Sequence, residues 1–266
     1  MGAVQARGPR RRASAGERRR TLAELVTGGG TWQVHDLAAR LGVSEATVRR
    51  DLAALERSLP AVQRGWGSVT YQNSPVEIAF AAKLNVHRAA KESIAPAVAG
   101  RLRDGQVVFL NGGTTTTLVA RAIARRGVAV TVVTNAVNIA YELLGSASVS
   151  VVLLGGTVHR QNYELIGSLA LDGLSRLSAN IAVLGCDGVS VGMGASTVVV
   201  PEADVARAMA ERAEEVWIVA DRSKLGRNSL VSIVPLERIG VLFVDSVPDE
   251  LRRVLADRCE VVVCGR

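Results

Sequence analysis

The sequence predicts an α/β protein of two parts, a small helical domain at the N-terminus followed by a larger domain built on a mostly parallel sheet. Three observations lead to this prediction. The first 70 residues contain three helical patterns, the rest of the chain alternates valine-rich runs with helical patterns, and the positive charge lies at the N-terminal end. Valine-rich strands interleaved with helices are typical of a parallel sheet covered on both faces.

The composition restricts the class of protein. With 266 residues, of which 48% are apolar, the chain is long enough to bury a packed core. No run approaches the roughly 20 apolar residues of a membrane span, and the N-terminus lacks the apolar centre of a secretory signal. Three cysteines and three histidines stand at no ligand spacing. We therefore expect a cytoplasmic protein with no membrane partner, no metal and no cofactor.

The net charge of +7 is concentrated near the N-terminus. Residues 1–70 hold 12 Lys and Arg against 6 Asp and Glu, whereas residues 71–266 hold 20 against 19. Such a local excess indicates nucleic acid as a partner, because phosphate neutralisation dominates its binding. Residues 1–16 lack apolar periodicity and are predicted to be a disordered basic arm. For the basic run from Arg7 to Arg12, a merely solvated tail is the open alternative.

Residues 17–71 are predicted to form the small domain. The apolar positions that define its three helices are Leu22, Leu25, Val26, Val34, Leu37, Ala38, Leu41, Val48, Leu52 and Leu55. Three glycines end the first helix, Gly42 turns the chain after the second, and Ser44 is the expected N-cap of the third. This spacing is that of a helix-turn-helix.

The third helix of this domain is predicted to face DNA. With its apolar residues turned inward, Thr47, Arg49 and Arg50 are left outside, where they can reach base edges or phosphates in a major groove. A protein-binding module with a basic face is the alternative that the pattern leaves open.

Residues 72–90, which begin with the polar run Gln72-Asn-Ser-Pro75, are predicted to be a linker to the larger domain at 91–266. Apolar runs of strand length occur at 107–110, 128–133, 149–154, 181–184, 216–220, 241–244 and 261–263. Helical patterns lie between them near 116–126, 136–144, 166–176, 202–212 and 248–257. The order predicts a parallel sheet, whose strands all end at one edge.

The run Asn111-Gly-Gly-Thr-Thr-Thr-Thr117 lies between a predicted strand and a predicted helix. Glycines let a backbone approach an anion, while helix N-terminal amides and threonine hydroxyls donate to it. A plain N-cap with a tight turn is the alternative. Because ligands bind beyond the carboxyl ends of strands in open α/β sheets, this run and other polar motifs at strand ends are expected to share one pocket.

The N-terminal domain resembles the winged helix-turn-helix of the DeoR family of bacterial transcription regulators. The resemblance rests on Leu37–Glu56, above all on Val43-Ser44 and Thr47-Val-Arg-Arg-Asp-Leu52. It implies that Ser44, Thr47, Arg49 and Arg50 contact double-stranded DNA and that Asp51 orients an arginine.

The predicted wing departs from the family. The family's Arg-x-His-Gly-Gly-Ala is here Arg64-Gly-Trp-Gly-Ser-Val69. Arg64 is retained as a DNA contact, whereas Trp66 replaces the histidine. Trp66 is open to two interpretations, a hydrophobic cover for the small domain or a DNA contact.

The rest of the chain resembles the sensor domain of the same family, whose fold is similar to type A ribose 5-phosphate isomerase. The residues that carry this resemblance are Asn111-Gly-Gly-Thr-Thr115, Thr134-Asn135, Leu154-Gly-Gly-Thr157, Gly167, Cys186-Asp-Gly-Val189 and Ala220-Asp-Arg-Ser-Lys224. It implies a bound phosphorylated sugar. Its expected contacts are Asn111, Gly112, Gly113, Thr114, Thr115, Thr116, Asn135, Gly155, Gly156, Asp187, Lys224 and Lys91. An ordinary turn at Gly155-Gly156, a turn-forming Asp187 and a surface Lys224 are the alternatives.

The resemblance also bears on catalysis. An isomerase needs a base and a group that stabilises an enediolate. Glu202 is the candidate base, but Met193 stands where the isomerases carry a lysine, and a thioether cannot stabilise an oxyanion. We therefore expect no catalytic residue, and a homodimeric or tetrameric repressor of carbohydrate genes that a phosphorylated sugar controls. A sugar-phosphate isomerase with an appended helix-turn-helix is the alternative.

Overall fold

The computed structural model describes residues 14–27, 31–58, 62–71 and 75–265. The chain divides into two units, Met1–Ile78 and Ala79–Arg266. Most of the predicted arm, the glycines at 28–30, the residues before the wing at 59–61 and the start of the linker at 72–74 lie outside the described residues.

The first unit is a winged helix-turn-helix, as predicted. Its helices and strands are α1 (Ala15–Thr27), β1 (Thr31–Gln33), α2 (Val34–Leu41), α3 (Glu45–Ser58), β2 (Val62–Arg64) and β3 (Ser68–Tyr71). The strands form an antiparallel sheet in the order β1-β3-β2. The predicted apolar positions face one core, in which Leu22, Leu37, Val48 and Leu52 are fully buried.

Local chemistry fixes the turn between α2 and α3. Gly42 has a left-handed conformation with φ of 65° at the end of α2, a conformation that glycine adopts without strain. The Ser44 hydroxyl then accepts a hydrogen bond of 3.3 Å from the Thr47 amide. This is the N-cap expected for α3, and it sets the direction in which the helix leaves the turn.

Asp51 connects α3 to α1. Its carboxylate is buried and accepts hydrogen bonds from Arg18 Nε at 2.6 Å and Arg19 Nε at 2.9 Å. Burial by itself raises the pKa of Asp51, but the two arginines outweigh it, so that the pKa lies below its usual value. The expected arginine-orienting role is confirmed, and the arginines are those of α1.

The second unit contains the larger sheet. Its strands are β4 (Val107–Leu110), β5 (Val130–Thr134), β6 (Val149–Leu153), β7 (Thr157–His159), β8 (Glu164–Ile166), β9 (Ala179–Gly185), β10 (Gly188–Ser190), β11 (Gly194–Thr197), β12 (Ala213–Val219), β13 (Val231–Val234), β14 (Val241–Val244) and β15 (Glu260–Val263). Seven of them form a sheet in the order β15-β14-β12-β9-β4-β5-β6, and every neighbouring pair is parallel. All seven predicted strands lie in this sheet, and β4 and β14 have the predicted bounds.

The helices of the chain from residue 75 onward are α4 (Pro75–Asn85), α5 (Arg88–Arg101), α6 (Thr114–Arg126), α7 (Val137–Leu143), α8 (Ser168–Leu174), α9 (Val200–Glu211) and α10 (Asp249–Ala256). The last five correspond to the five predicted helical patterns. The segment predicted as a linker contains α4 and the start of α5. These helices were not predicted because the segment begins with a polar run at 72–75 and because α5 contains Pro96.

The winding of the parallel sheet reverses between β4 and β9. From β4 the chain adds β5 and β6 on one side, and from β9 it adds β12, β14 and β15 on the other. Two buried apolar clusters cover the two faces. At such a reversal the loops after the two central strands separate and leave a crevice at the carboxyl edge. None of the described helices has the length and apolar character required to cross a bilayer.

Asp51→Ala is expected to lower the free energy of unfolding of the first unit by about 2 kcal/mol, because hydrogen bonds to charged groups contribute roughly 1.5–3 kcal/mol each and the freed arginines regain water. Urea unfolding of the full chain, followed by circular dichroism, measures the change. Glu45→Ala on the same helix is the matched control, because among the described contacts it removes an exposed ion pair with Arg49. Equal losses in the two variants would contradict the structural role of Asp51.

Candidate functional site

A cavity of about 360 Å³ opens at the carboxyl edge of the parallel sheet, where the winding reverses. The loops after β4 and β9 both line it, as do the C-terminal end of α4 and the segment at 221–227. The predicted site residues that line it are Lys91, Asn111, Gly112, Gly113, Thr114, Thr115, Asp187 and Lys224.

Asn111 ties the two central strands together at this point. Its amide nitrogen donates to the Gly185 carbonyl at 3.2 Å, and its amide oxygen accepts from the Gly185 amide at 2.8 Å. The side chain is buried. With one hydrogen bond donated and one accepted, Asn111 holds the floor of the cavity in place.

The glycine and threonine run forms the start of α6, and only part of it faces the cavity. Gly113 has φ of 139° and is the N-cap, and Thr114 and Thr115 open the first turn. The Gly112 amide, in contrast, donates to Glu164 Oε1 at 2.9 Å. The Gly113 amide and the first amides of the helix are therefore the donors that an anion would use.

Four predicted ligand contacts do not line the cavity. The buried Thr116 hydroxyl donates to the Gly113 carbonyl at 3.1 Å, within its own helix. Asn135 is buried and donates to Glu164 Oε1 and to the Leu165 carbonyl, at 3.3 and 3.2 Å.

Gly155 and Gly156 are the other two, and they lie between β6 and β7. A Cβ atom on Gly156 would stand 2.8 Å from the Ile166 carbonyl oxygen. Glycine at 156 therefore allows close packing against β8, and neither glycine lines the cavity.

Every lysine of the chain lines the cavity. The sequence has 32 Lys and Arg, of which only Lys83, Lys91 and Lys224 are lysine and the other 29 are arginine. All three lie on the cavity wall, together with Arg227. Lysine is a compact cation on a flexible stem, which suits a small anion approached from several sides. The scarcity of lysine is visible in the sequence, whereas the convergence of the three lysines on one cavity is visible only in the fold.

Lys91 is buried beneath the cavity wall. Its ammonium donates to the main-chain carbonyl of Lys83, in the last turn of α4, at 2.7 Å. Burial lowers the pKa of Lys91, which the nearby Asp221 offsets and Lys224 reinforces. Lys91 thus connects the cavity to the C-terminal end of α4.

Lys224 stands opposite, paired with an acidic neighbour. Its ammonium lies 3.5 Å from Asp187 Oδ1, and Asp187 Oδ2 accepts from the Thr197 hydroxyl at 2.9 Å. Asp221 fixes the short turn that carries Lys224, because its carboxylate accepts from the Ser223 amide at 3.0 Å. The cation and the acceptor are therefore held side by side, ready for a ligand with both phosphate and hydroxyl groups.

Two buried glutamates, Glu164 and Glu202, also line the cavity. Glu202 Oε1 is 2.6 Å from His159 Nδ1, and both Glu202 oxygens accept from the Asn162 amide at 2.9 and 3.1 Å. Burial, followed by the charge of Glu202, raises the pKa of Glu164 to about 8. Glu164 is therefore a neutral acid at pH 7, and its side chain hydrogen-bonds the neighbouring Glu202.

Three further features of the cavity were not predicted as ligand contacts. Lys83 and His87 fall in the predicted linker, and Glu164 stands in a three-residue strand that no periodicity marks. His87 has a left-handed backbone with φ of 52°, unusual for a residue other than glycine. Met193, which the resemblance set at the position of a catalytic lysine, does not line the cavity.

The predicted DNA-binding residues lie on the surface of the first unit. Arg49 pairs with Glu45 at 2.9 Å and Arg64 with Glu56 at 2.7 Å, whereas Arg50 is exposed. The Ser44 hydroxyl is 2.9 Å from that of Thr47. Exposed ion pairs of this kind exchange partners at low cost, so the arginines remain accessible to phosphate.

Trp66 does not cover the small domain. It stands at the tip of the β2–β3 hairpin with its side chain fully exposed. The interpretation of Trp66 as a hydrophobic cover is therefore wrong, because a side chain that covers other apolar groups would itself be partly buried.

Sequence models of two protein families match the chain. One, described as the DeoR-like helix-turn-helix domain, matches residues 18–75, and the other, described as the DeoR C terminal sensor domain, matches residues 86–246. The HTH-type transcriptional regulator GlpR of Haloferax volcanii is 36% identical, over 88% of this chain and 91% of its own. The glycerol-3-phosphate regulon repressor of Escherichia coli K12 is 28% identical, over 91% and 95%.

Among solved structures, ribose 5-phosphate isomerase A of Methanocaldococcus jannaschii is 18% identical and covers 51% of this chain and 53% of its own, with a TM-score of 0.39. Similarity at this level supports no conclusion about fold or activity.

Glu164 is expected to make the second unit less stable as the pH rises. Its native pKa of about 8 lies above the ordinary value of 4.5, so between these values the unfolded chain has lost a proton that the native state keeps. Stability therefore falls across this window and levels off above it. Thermal unfolding of the wild type and of Glu164→Gln, over the same pH series, measures the effect.

The variant should lose most of this slope, because glutamine is neutral throughout. Glu92→Gln is the matched control, since Glu92 is exposed and pairs only with Arg88 among the described contacts. An unchanged slope in Glu164→Gln would show that Glu164 ionises normally.

Proposed function

Because the chain belongs to the DeoR family of transcriptional regulators, we propose that it is a DNA-binding repressor of genes for carbohydrate uptake or use, and that a phosphorylated sugar controls it. The sugar phosphate binds in the cavity of the second unit, and the protein acts on DNA in the cytoplasm. The name of the E. coli relative, a glycerol-3-phosphate regulon repressor, agrees with a phosphorylated polyol as the signal.

The observation that carries this proposal is the confinement of all three lysines to one cavity beside a helix N-terminus. The phosphate accepts from the amides of Gly113 and Thr114 and from the Thr115 hydroxyl, and Lys224 and Lys91 balance its charge. Each of these groups lines the cavity. Lys83 and Arg227 add positive charge at the same wall.

The other end of the cavity suits hydroxyl groups. Asp187 and Glu202 are acceptors, and the Asn162 amide and the neutral Glu164 hydrogen-bond Glu202 and hold it in place. Acceptors beside the Lys224 ammonium match a polyol, whose hydroxyl groups both donate and accept. Asn111 and Gly112 support the site without contacting the ligand. Asn111 holds the ends of β4 and β9 together, and the Gly112 amide holds Glu164.

The first unit binds operator DNA through α3. Ser44, Thr47, Arg49 and Arg50 face the major groove, and Arg64 binds a phosphate beside the wing. A helix-turn-helix regulator reads a two-fold site as a pair, so the chain acts as a homo-oligomer. Exposed apolar side chains at the edge strand β6 and on α7 provide a surface for a second copy, among them Tyr141, Leu144, Val152 and Leu153.

The effector acts on α4 through Lys91. In the empty cavity the Lys91 ammonium holds the Lys83 carbonyl at the end of α4. A phosphate at the N-terminus of α6 competes with the Lys83 carbonyl for the Lys91 ammonium. When the phosphate binds, α4 loses this hydrogen bond, and a conformation of α4 that does not depend on it is favoured. A ligand shifts an equilibrium only through such a difference in its contacts between two states.

The cavity favours binding over turnover. Both oxygens of Glu202, the only candidate base that the sequence offered, are already held by Asn162. Burial, reinforced by Asp187, raises the pKa of the Cys186 thiol to about 12, which removes it as a nucleophile at neutral pH. Turnover of ribose 5-phosphate that is lost in Glu202→Gln would contradict this conclusion and favour the isomerase alternative.

Two sets of variants should separate the modules. Arg50→Ala is expected to abolish retardation of the protein's own upstream DNA in gel shifts while thermal stabilisation by the sugar phosphate persists. Lys224→Ala and Thr115→Val should do the reverse and weaken effector affinity by about tenfold, as expected for one lost charge-assisted contact. A thermal-shift screen of phosphorylated sugars identifies the ligand first.

Each set has a control on the same element or surface. Arg222→Ala removes an exposed cation in the turn that carries Lys224, and Arg20→Ala removes an exposed arginine of the first unit. Both should behave as wild type. If no phosphorylated sugar stabilises the protein, or if one variant loses both activities, the proposal fails.

Lys91→Met separates binding from release. With the ligand found in the screen raised to saturation, Lys224→Ala should still be released from DNA, because only its affinity is impaired. Lys91→Met should stay bound to DNA at saturation, because methionine fills the buried site but cannot exchange the Lys83 carbonyl for phosphate. Release of both variants at saturation, measured by gel shift, would rule out Lys91 as the coupling residue.

A further inference from the structure

Trp66 is exposed in an unusual setting. Its side chain is fully exposed, whereas Trp217 is buried and Trp32 is partly covered, with Arg40 over its ring at 5.7 Å. Among residues of the first unit whose side chains the structure describes, Trp66 is the only large apolar side chain that is exposed. Surfaces that dock proteins are contiguous apolar patches, and a lone aromatic ring is not such a patch.

The backbone beneath Trp66 is fixed by hydrogen bonds. The Gly65 amide donates to the Ser68 carbonyl at 2.9 Å, and the Gly67 carbonyl accepts from the Val34 amide at 2.9 Å. Gly67 has φ of 73°, which favours glycine, and a Cβ atom on Gly65 would stand 2.8 Å from the Ser68 hydroxyl. The backbone of the tip is therefore already ordered before binding and presents one indole ring. Binding then costs little conformational entropy of this backbone.

The surroundings of the ring point to nucleic acid. The hairpin follows directly on α3, to which Arg64 is tied through Glu56 at 2.7 Å. Next to Trp66 stand two glycines, the hydroxyl of Ser68 and the guanidinium of Arg64. A narrow tip with one apolar ring and a cation at its base has the form of the wedges that enter the minor groove, where an apolar side chain is pushed between base pairs.

We propose that Trp66 inserts into the minor groove beside the major-groove site of α3, stacks at one base step and bends the DNA. This inference rests on the proposed DNA binding by the first unit. Arg64 keeps the tip on the DNA backbone by holding a phosphate, and the indole supplies the contact within the groove. The preferred operator should carry a flexible pyrimidine–purine step at that position, because such steps unstack most easily.

The experiment uses the full chain and the upstream duplex that the wild type retards. Binding should quench tryptophan emission in the wild type but not in Trp66→Phe, which keeps Trp32 and Trp217. Trp66→Ala should lose about tenfold in affinity, the scale of one base stacked on an aromatic ring. It should also reduce the bend angle in a circular-permutation gel.

Arg64→Ala is the matched control, because it removes a phosphate contact from the same hairpin. It should lower the slope of log affinity against log salt by about one, whereas Trp66→Ala leaves the slope unchanged. Retained affinity and bending in Trp66→Ala would overturn the insertion while leaving DNA binding intact. So would a loss of self-association in Trp66→Ala, measured by light scattering, because the ring would then contact a second copy.

Discussion

The reciprocal hydrogen bonds between Asn111 and Gly185 are the constraint on which the sensor unit depends. They join the ends of β4 and β9, the two strands between which the winding of the sheet reverses. Without these bonds the two strand ends would be free to move apart, since the strands continue into loops that run to opposite sides of the sheet. With the strand ends fixed, Gly113 and Asp187 face a single cavity, and the first turn of α6 is aimed into it.

The charges of the cavity follow from this placement. Glu164 takes up the Gly112 amide, which places a buried carboxyl group beside a second one, Glu202. Burial, and after it the charge of Glu202, raises the pKa of Glu164, so Glu164 keeps its proton and the cavity keeps a net positive wall of lysines. Glu164 and Glu202 can therefore lie beside an anionic ligand only because Glu164 stays neutral.

The sequence predicted the fold better than the site, and particular residues explain the difference. The strand Val107–Leu110 and the N-cap Ser44 were found because each depends on local pattern alone. Asn135 and Gly156 lie outside the cavity lining, which the sequence could not show, because a residue after a strand looks the same there whether it faces a ligand or, as here, a neighbouring strand. Lys83 and Glu164 were missed because contacts across more than fifty residues bring them to the cavity, and no local signal encodes such contacts.

The same long-range contacts form a continuous path from α4 to the end of β4. Lys83 reaches Asn162 at 3.5 Å, Asn162 holds Glu202, Glu202 adjoins Glu164, and Glu164 binds the Gly112 amide. A path alone transmits nothing, because coupling requires an element with two states that the ligand distinguishes. In the function proposed above, Lys91 is such an element, because its ammonium, which holds the Lys83 carbonyl, would hold a bound anion instead. The path would then keep α4 aligned with the cavity, and Lys91 would determine whether the helix stays there.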